Sequence, residues 1–421
     1  ELAPGLPAGS DLQVIIKSGD EIGSFLFEGI PDGIGLTPGP AAGTVDVYVA
    51  HEQTTIPFFG TADFQDASVS KLTLSTADAS VLDASVAISP DLGYKRFCSA
   101  SIAGAAEGFD HPTFFAGEEA NDIVDVPFGA PYGPDPALSP QRQAGYVVAY
   151  DTVTGESKPI PGMGRLNHEN TVVIPGGWNQ FAILTTDDTF DGPSAQLYMY
   201  LASQEAHIME DKGGLWAFRV TRTEDGPVNP NDPFNGANDY LDIRPGDDWQ
   251  GEFIRVPRKI AFGLTDEAPQ DALENWSNEN NVFQFIRLED LDYDRNNPLV
   301  VYVADTGRSR VVPDPETGRM VRGPGGTVGL ADNGRVFKFV FNDKNPRKVD
   351  SFSVLAQGDD AAQGAYVPFI SPDNMGTSVN SLMVQEDADD ARVWWYSFVS
   401  GSWSVAATVN DPDGESSGIV D

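Results

Sequence analysis

Short strand-like runs, separated by glycine or proline every few residues, are the feature that most limits what this chain can fold into. Each run holds about five to seven residues rich in Val, Ile, Tyr, Phe and Trp, and helical periodicity is hard to find. Clear examples are Gly145–Asp151, Gln196–Leu201, Gly214–Val220, Gly334–Phe341 and Arg392–Phe398. An irregular repeat of such runs is typical of duplicated four-stranded units rather than of a β-sandwich. We therefore predict an all-β fold, a β-propeller, in a single domain over residues 1–421.

The charge balance excludes whole classes of partner. Among 421 residues there are 63 Asp and Glu against 26 Lys and Arg, which gives a net charge of −37 with histidine neutral. Nucleic acids and anionic membrane surfaces are bound by clustered Lys and Arg, so neither is an expected partner. No stretch is long and apolar enough to span a membrane. The first residues do not resemble a signal peptide, so any signal peptide is expected to have been removed already.

Apart from Asp and Glu, the chain has few residues that could bind a metal ion. Cys98 is the one cysteine of the chain, which excludes an internal disulfide and a zinc site built from several cysteines. There are four histidines, so a histidine-rich centre is excluded as well. Carboxylates favour hard cations such as calcium. A metal site in this chain is therefore expected to depend on Asp and Glu.

Acidic residues follow directly after several apolar runs. Three cases are Phe181–Leu184 before Asp187 and Asp188, Leu299–Val303 before Asp305, and Leu382–Val384 before Glu386 and Asp387. The inner strands of a propeller surround one channel, so carboxylates at their ends would meet at its axis. Like charges at that distance oppose one another's ionisation unless cations bind between them. The alternative is that these residues are solvated turn formers, which is a common use of Asp.

Two histidines are each followed by a glutamate next to a strand-like run. The pairs are His51-Glu52 and His168-Glu169. Successive side chains of a strand point to opposite faces, so one member of each pair would reach a shared site. The carboxylate-rich surroundings favour Glu52 and Glu169 as metal ligands, with the histidines in supporting or packing roles. Spacing alone leaves open that both are ordinary surface pairs.

Cys98 and a later glutamate pair, Glu118 and Glu119, form another candidate group. A thiolate beside several carboxylates would suit a ferric ion, whose charge would also keep the thiol deprotonated. A lone cysteine is more often a small buried apolar residue. Without further support, that second interpretation is the favoured one.

Arg287 and Glu289 stand two positions apart on an expected strand, so both side chains would lie on one face. Such a pair could hold a phosphate oxygen and a metal ion together, because the guanidinium fork matches a phosphoryl group. A plain salt bridge is the alternative. The D-x-D-x-D-x-N run over residues 290–296 starts like a calcium loop but lacks the glycine and the final glutamate of an EF-hand. Another calcium loop or a solvated turn remains possible there.

Ten short segments follow one another in the order found in a known family. They are Pro31-Asp32-Gly33, His51-Glu52, Arg96-Phe97-Cys98-Ser99, Gly117-Glu118-Glu119, Gly164-Arg165-Leu166-Asn167-His168-Glu169, Thr186-Asp187-Asp188, Arg287-Leu288-Glu289, Ser371-Pro372-Asp373-Asn374, Gln385-Glu386-Asp387 and Glu415-Ser416-Ser417-Gly418. Together they resemble the PhoX family of secreted bacterial alkaline phosphatases. Each segment is weak by itself, and their order across nearly the whole chain carries the resemblance.

The resemblance implies a six-bladed propeller whose axis holds ferric ions (Fe3+) and calcium ions (Ca2+) around a bridging oxo group. Cys98 would be the thiolate shared by the irons and Arg287 the phosphate-binding arginine, and these two would be the catalytic residues. The implied metal ligands are Cys98, Glu52, Glu118, Glu119, Glu169, Asp187, Asp188, Glu289, Glu386 and Asp387. The implied reaction is hydrolysis of small-molecule phosphate monoesters by a secreted enzyme, either periplasmic or extracellular.

Three features depart from the family pattern. Ala50 precedes His51 where the family usually has asparagine, which removes one possible oxygen ligand or substrate contact. The chain is shorter than typical members, so loops that shape the substrate pocket would be absent. It also stops at Glu415–Asp421, where related chains continue. The last blade is therefore expected to be incomplete at the C-terminus, or to be closed by a strand near Leu12–Ile16.

The leading interpretation is thus a secreted, metal-dependent phosphoric ester hydrolase. One alternative is a non-catalytic, calcium-stabilised propeller used for surface assembly or ligand binding. A further alternative is a calcium-dependent hydrolase of another ester class, such as a lactone. The presence of both Cys98 and Arg287 favours catalysis, because a decayed scaffold needs neither.

Overall fold

The computed structural model describes residues 12–53, 66–121, 143–189, 195–409 and 416–421. Strands dominate these ranges, and the α-helices within them are α1 (Ala206–Met209), α2 (Arg258–Ala261) and α3 (Pro269–Glu279). Most strands belong to five antiparallel four-stranded units, which follow one another along the chain and are called blades here. Among the described residues, no helix is long and apolar enough to cross a membrane.

A hairpin of β1 (Glu21–Ile22) and β2 (Phe25–Leu26) precedes the first blade, which contains β3 (Gly29–Pro38), β4 (Thr44–Gln53), β5 (Ser68–Ser75) and β6 (Val81–Ile88). The second blade contains β7 (Phe97–Ala103), β8 (Thr113–Glu118), β9 (Val147–Asp151) and β10 (Ser157–Pro159). The third blade contains β11 (His168–Ile174), β12 (Phe181–Asp187), β13 (Leu197–Ala202) and β14 (Gly214–Thr223).

Two further strands, β15 (Gly226–Pro227) and β16 (Trp249–Arg255), come before the fourth blade. The fourth blade begins with β17 (Leu288–Asp294) and β18 (Asn297–Asp305), is interrupted by the hairpin β19 (Val311–Pro313) and β20 (Met320–Arg322), and ends with β21 (Arg335–Asn342) and β22 (Asn345–Gln357). The fifth blade contains β23 (Pro372–Thr377), β24 (Ser381–Glu386), β25 (Arg392–Ser397) and β26 (Ser402–Thr408).

The strand-like runs of the sequence are confirmed as strands. All five runs that were predicted lie in outer strands of the blades, namely in β9, β13, β14, β21 and β25. In β21 the reason is visible, since Phe337, Phe339 and Phe341 alternate with less buried residues and are themselves almost fully buried. Alternation of this kind places aromatic rings on one face of the strand and polar groups on the other.

The third and fourth blades are joined edge to edge, because β16 pairs with both β14 and β22. Aromatic rings fill the space behind this junction. The ring centroid of Phe218 lies 5.6 Å from that of Phe253 and 5.2 Å from that of Phe352, and Phe339 stacks on Phe352 at 4.7 Å. Such ring pairs add about 0.5–1.5 kcal/mol each beyond the burial of their area. The junction therefore holds β11 and β17 in fixed relative positions.

The first strands of the blades form a ring. β3 packs against β7, β7 against β11, β11 against β17 and β17 against β23. Residues 416–421 lie between the first and last blades, where Ile419 faces Gly376 and Gly418 faces Asp32. Gly418 has a φ of +61°, and a Cβ there would lie 2.2 Å from the Asp32 carbonyl oxygen, so the position requires glycine. The ring of blades confirms the predicted all-β propeller.

The described residues form five four-stranded blades. Between β14 and β17 the chain folds into β15, β16, α2 and α3. The fifth blade takes all four of its strands from residues 372–408, and residues 12–16 form no strand. Residues 12–16 therefore do not close that blade, and the count of six blades implied by the family resemblance stays a prediction.

Each first strand contains a bulge at the same place. In all five blades, two residues of the first strand oppose a single residue of the second strand. The bulged pairs are Asp32-Gly33, Cys98-Ser99, Glu169-Asn170, Glu289-Asp290 and Asp373-Asn374. A bulge bends its strand and changes the direction of a side chain, and bulges are common next to functional sites.

Candidate metal centre

Side chains with metal-binding atoms converge where the bulges lie. They form three groups, within each of which the ligand-type atoms all lie within 4.8 Å of one another. The groups are Asp32, Glu52 and Cys98; Cys98, Glu119 and Glu169; and Glu169, Glu289 and Asp373. Cys98 is shared by two groups and Glu169 by two, so the seven residues form one continuous set, called the axial cluster here.

The blade repeat explains why residues so distant in sequence meet. Five members of the axial cluster are the first residues of the five bulges: Asp32, Cys98, Glu169, Glu289 and Asp373. The other two members, Glu52 and Glu119, come from the ends of the second strands β4 and β8. A ring of first strands thus supplies five ligand-type groups from one repeated position, and neighbouring second strands add two more.

Adjacent residues at the second-strand ends have different surroundings. The strand ends predicted from the sequence are second strands of the blades and not the innermost ones. In four blades, the second strand ends in a pair of residues, and the later residue of each pair lies at or beside the axial cluster. These pairs are His51-Glu52, Glu118-Glu119, Asp187-Asp188 and Glu386-Asp387. Successive strand side chains point to opposite faces, so the earlier member of each pair is directed elsewhere.

Glu118 illustrates the earlier members of these pairs. Its carboxylate accepts hydrogen bonds from the backbone N–H groups of Lys95 at 2.7 Å, Gly145 at 2.9 Å and Tyr146 at 3.1 Å. Glu118 therefore joins three backbone segments of the second blade. It belongs to none of the three groups of the axial cluster, and the metal-ligand role expected for it stays a prediction.

Asp187 and Glu386 also accept hydrogen bonds from neighbouring groups, and their expected role as metal ligands stays a prediction. Asp187 accepts a hydrogen bond from the Thr189 hydroxyl at 2.7 Å and lies 3.2 Å from the Gln270 amide nitrogen. Glu386 accepts hydrogen bonds from the Arg392 guanidinium at 2.8 and 2.9 Å, and also from the Trp394 ring and the Ile370 backbone. Both carboxylates are thus held by partners of their own, away from the three groups of the axial cluster.

Arg287 connects the third and fourth blades beside the cluster. Its Nε and Nη2 donate to the two carboxylate oxygens of Asp188 at 2.8 and 2.7 Å. Its Nη2 also lies 3.2 Å from Oε1 of Glu289, which confirms that Arg287 and Glu289 share one face. Asp187 and Asp188 therefore have different partners, and of the two it is Asp188 that pairs with Arg287 at the axial cluster.

The electrostatics of the axial cluster are unfavourable without a cation. Burial, followed by the charge of neighbouring carboxylates, raises the pKa values of Glu119, Glu169 and Glu289 well above the ordinary range. Burial also raises the pKa of Asp32, and Asp387 adds to that increase. Burial and nearby carboxylates raise the pKa of the Cys98 thiol in the same way. Such groups resist ionisation unless positive charge is bound among them.

The residues of the cluster fit bound cations. Oε1 of Glu169 is buried and has no hydrogen-bond partner within the part of the chain that the structure describes, whereas the buried Oε1 of Glu289 lies 3.2 Å from Nη2 of Arg287. A buried oxygen without a partner carries a large desolvation cost. Carboxylate oxygens suit hard cations, and the Cys98 thiolate would add a softer ligand. Cys98 Sγ lies 3.2 Å from Asp32 Oδ2, so the sulfur is part of the cluster and not an isolated apolar residue.

Asp32 and Asp373 are the cluster members that were not predicted as ligands. Both occur in sequence segments that carry the family resemblance, which was the one signal available for them. Neither follows an apolar run, because each lies inside the bulge of a first strand. The rule that acidic residues at strand ends converge therefore could not find them.

The two histidines beside the cluster take packing roles, as expected. Nε2 of His51 lies 2.7 Å from the Ser70 hydroxyl, and Nδ1 of His168 lies 2.8 Å from the Thr185 hydroxyl. Both are fully buried, and burial lowers the pKa of each to about 4. They are therefore neutral over most of the pH range.

The run over residues 290–296 is not a calcium loop. Asp290 and Asp292 lie on β17, where they accept hydrogen bonds from the backbone of Met375 at 2.8 Å and of Thr377 at 2.8 Å. These contacts attach the first strand of the fourth blade to that of the fifth. The run therefore has a structural role in the ring of strands.

Comparison with known proteins gives a family and several similar folds. A family model described as alkaline phosphatase PhoX matches residues 116–410. The structure of Pseudomonas fluorescens PhoX in complex with vanadate, a transition-state analogue, covers 94% of this chain and 82% of its own at a TM-score of 0.63 and 14% identity. A β-propeller domain of Cps50 (Swd1) from Myceliophteria thermophila covers 89% of this chain and 86% of its own at a TM-score of 0.36 and 9% identity. A search of curated proteins gives no match.

Proposed function

Because the chain belongs to the alkaline phosphatase PhoX family and is thus a phosphatase-type hydrolase, we propose that it hydrolyses phosphate monoesters at the axial cluster. The observation that carries this proposal is the convergence of a thiol and several buried carboxylates from all five blades within 4.8 Å groups. A purely structural propeller has no need to concentrate charge that its own fold does not neutralise.

We propose ferric and calcium ions as the bound cations. The two groups that include Cys98 combine a thiolate with carboxylates, which suits iron. The third group, Glu169, Glu289 and Asp373, offers oxygen atoms alone, which suits calcium. When bound, such cations supply positive charge that stabilises the oxygens of a phosphoryl group during its transfer. Asp188 and Asp387, which lie beside the cluster, are proposed as further members of the charged shell.

Arg287 is the residue proposed to bind the phosphoryl group. Its guanidinium remains charged because nearby Glu289 and Asp188 raise its pKa, although burial opposes this. The bidentate pair with Asp188 and the contact with Glu289 hold the guanidinium in one orientation at the cluster. A guanidinium that is already oriented loses little freedom on binding a planar pair of oxygens. As for other members of the family, we propose secretion to the periplasm or the exterior.

Metal analysis combined with an activity assay tests this function. Protein purified without chelator should contain iron and calcium by mass spectrometry, should hydrolyse an aryl phosphate monoester and should be inhibited by vanadate. Glu169→Gln should lose both metal and activity, because Glu169 is shared by two of the three groups. Glu205→Gln, at a half-buried position that contacts the Asp110 backbone, serves as the control and should keep both.

The outcomes separate the leading function from its alternative. Absence of iron and calcium, or full activity in Glu169→Gln, would contradict the proposal. Bound calcium that stabilises the protein, without turnover of any phosphate ester, would instead identify the non-catalytic calcium-stabilised propeller.

A further inference from the structure

Gln270 is a buried side chain that contacts the third blade on several sides of Asp188. It lies in the first turn of α3 and is 4% exposed. Its Nε2 donates to Oδ2 of Asp187 at 3.2 Å and to the Thr189 hydroxyl at 3.1 Å. Its Oε1 accepts a hydrogen bond from the Asn167 backbone N–H at 3.0 Å. Both ends of the amide group therefore contact residues around Asp188.

Asn167, which Gln270 contacts, holds the backbone of Asp188. The Asp188 backbone N–H donates to the Asn167 carbonyl oxygen at 3.0 Å, and the Asn167 side-chain amide donates to the Asp188 carbonyl oxygen. Asn167 and Asp188 are both fully buried. Asp187 and Thr189 are the chain neighbours of Asp188. Gln270 thus contacts the residue before Asp188, the residue after it and the residue that pairs with its backbone.

Helix α3 is attached to the third blade by contacts that do not involve the Gln270 side chain. Leu273 is fully buried in one apolar cluster with Leu166 and Tyr198. The Ser277 hydroxyl lies 3.2 Å from the Tyr198 hydroxyl. The helix is therefore a fixed support for the Gln270 amide, and it should stay in place when that amide is removed.

Asp188 connects this support to the arginine proposed to bind the phosphoryl group. Its two carboxylate oxygens accept hydrogen bonds from Nε and Nη2 of Arg287 at 2.8 and 2.7 Å. A bidentate pair fixes the plane of a guanidinium as well as its position. Because the backbone around Asp188 is held from α3, a shift of that backbone would also turn the guanidinium.

We propose that Gln270 is a positioning residue, which fixes the orientation of Arg287 for phosphate through Asp188. This role rests on the phosphatase function proposed above. Gln270 belongs to none of the three groups of the axial cluster, and α3 lies in the stretch between the third and fourth blades. None of the ten segments that carry the family resemblance contains Gln270. A helix outside the blades thus contributes to phosphate binding at the axis.

Phosphate binding to matched glutamine variants tests this role. Gln270→Met keeps the approximate size of the side chain and removes its hydrogen bonds. The control is Gln357→Met, because Gln357 is also buried but its side chain contacts the backbone of residues 359–364. Calorimetry measures binding of inorganic phosphate to the metal-loaded proteins, and mass spectrometry measures metal content. Gln270→Met should lower phosphate affinity about 3- to 10-fold with metal content unchanged, whereas Gln357→Met should match the parent protein.

A double-mutant cycle with Asp188→Asn separates positioning from a general structural effect. Asp188→Asn breaks the bidentate pair through which Gln270 is proposed to act. In that background, Gln270→Met should change phosphate affinity less than about twofold, because two residues that act through one contact are not additive. Urea unfolding of all variants measures their stability alongside.

Three results would overturn the positioning role. Equal losses of phosphate affinity from Gln270→Met in both backgrounds would show that Gln270 acts independently of Asp188. Unchanged affinity, with stability lowered as in Gln357→Met, would make Gln270 a structural residue alone. Loss of metal in Gln270→Met would make it a support for metal binding instead. A parent protein that binds phosphate but hydrolyses no aryl phosphate would defeat the proposed phosphatase function and leave the role of Gln270 in phosphate binding intact.

Discussion

Neighbouring carboxylates at the ends of the second strands differ in what stabilises their charge. Glu118 accepts hydrogen bonds from three backbone N–H groups. Glu119, in contrast, lies within 4.8 Å of ligand-type atoms of Cys98 and Glu169, and its pKa is strongly raised. Asp187 and Asp188 differ in their partners, since Gln270 and Thr189 contact the first and Arg287 pairs with the second. A shift of one sequence position thus decides whether a buried carboxylate is satisfied by neutral donors of the fold or lies among the charged groups of the cluster.

Removal of the proposed cations should have the largest effect, because the carboxylates that face the cluster would lose the positive charge that balances them. Ligand binding to the folded state alone adds several kcal/mol of stability at saturation, which corresponds to a loss of roughly 10 °C in Tm on chelation. Calorimetry of the protein with and without chelator, followed by addition of calcium and iron, measures this. An unchanged Tm after complete metal removal would mean that the cluster is balanced by the protein alone.

Substitution of the adjacent glutamates should separate metal binding from stability. Glu119→Gln is expected to lower the metal content, and to leave the metal-free protein as stable as before or more stable, because a buried like charge is removed. Glu118→Gln is expected to destabilise the protein by about 1–3 kcal/mol, because the new amide group faces N–H donors. Urea unfolding and metal analysis of the two variants provide the measurement. Loss of metal in Glu118→Gln alone would reverse the assignment of the two residues.

The aspartate pair should show a smaller difference. Asp188→Asn breaks the bidentate pair that orients Arg287, so phosphate affinity should fall by about tenfold, as expected for one weakened charged contact. Asp187→Asn keeps an oxygen that can accept from Thr189 and should cost about 1 kcal/mol of stability with phosphate affinity unchanged. Phosphate titration of both variants tests this. Equal phosphate affinities for the two would remove the functional distinction between them.

The last effect appears only below pH 6.5 and concerns His51, the neighbour of Glu52 that faces away from the cluster. Burial lowers the pKa of His51 to about 4 from an ordinary value of 6.5. Its contribution to stability is thus present above pH 6.5 and is lost as the pH falls from 6.5 towards 4, because only the unfolded chain takes up the proton there.

His51→Gln should remove that part of the pH dependence. The difference in unfolding free energy between parent and variant should shrink by about 1 kcal/mol per pH unit over this interval. Urea unfolding of both metal-free proteins at several pH values measures the difference. Parallel pH profiles for the two proteins would mean that His51 is protonated in the folded state.

Much of the architecture could be predicted from local patterns. Alternating aromatic residues, as in Gly334–Phe341, identify strands because one face of each strand is buried. Acidic residues after apolar runs led to Asp188 and Asp387, both of which lie beside the axial cluster. The same rule also selected Asp187 and Glu386, because it cannot tell which of two adjacent side chains faces the axis.

One connection between blades and two of the ligand-type residues could not be predicted in this way. Residues between β14 and β17 join two blades through β16. Asp32 and Asp373 enter the cluster through bulges, which depend on how two strands pair and leave no periodic signal.

The sequence by itself determined the all-β class, the positions of the strands and the dependence of any metal site on carboxylates and one thiol. Those properties follow from residue type and alternation, which act over a few neighbours along the chain. Only the tertiary structure decided which carboxylates gather at the axis. Strand register and the repeated bulge set the direction of each side chain, and both arise from pairing between segments that are distant in sequence.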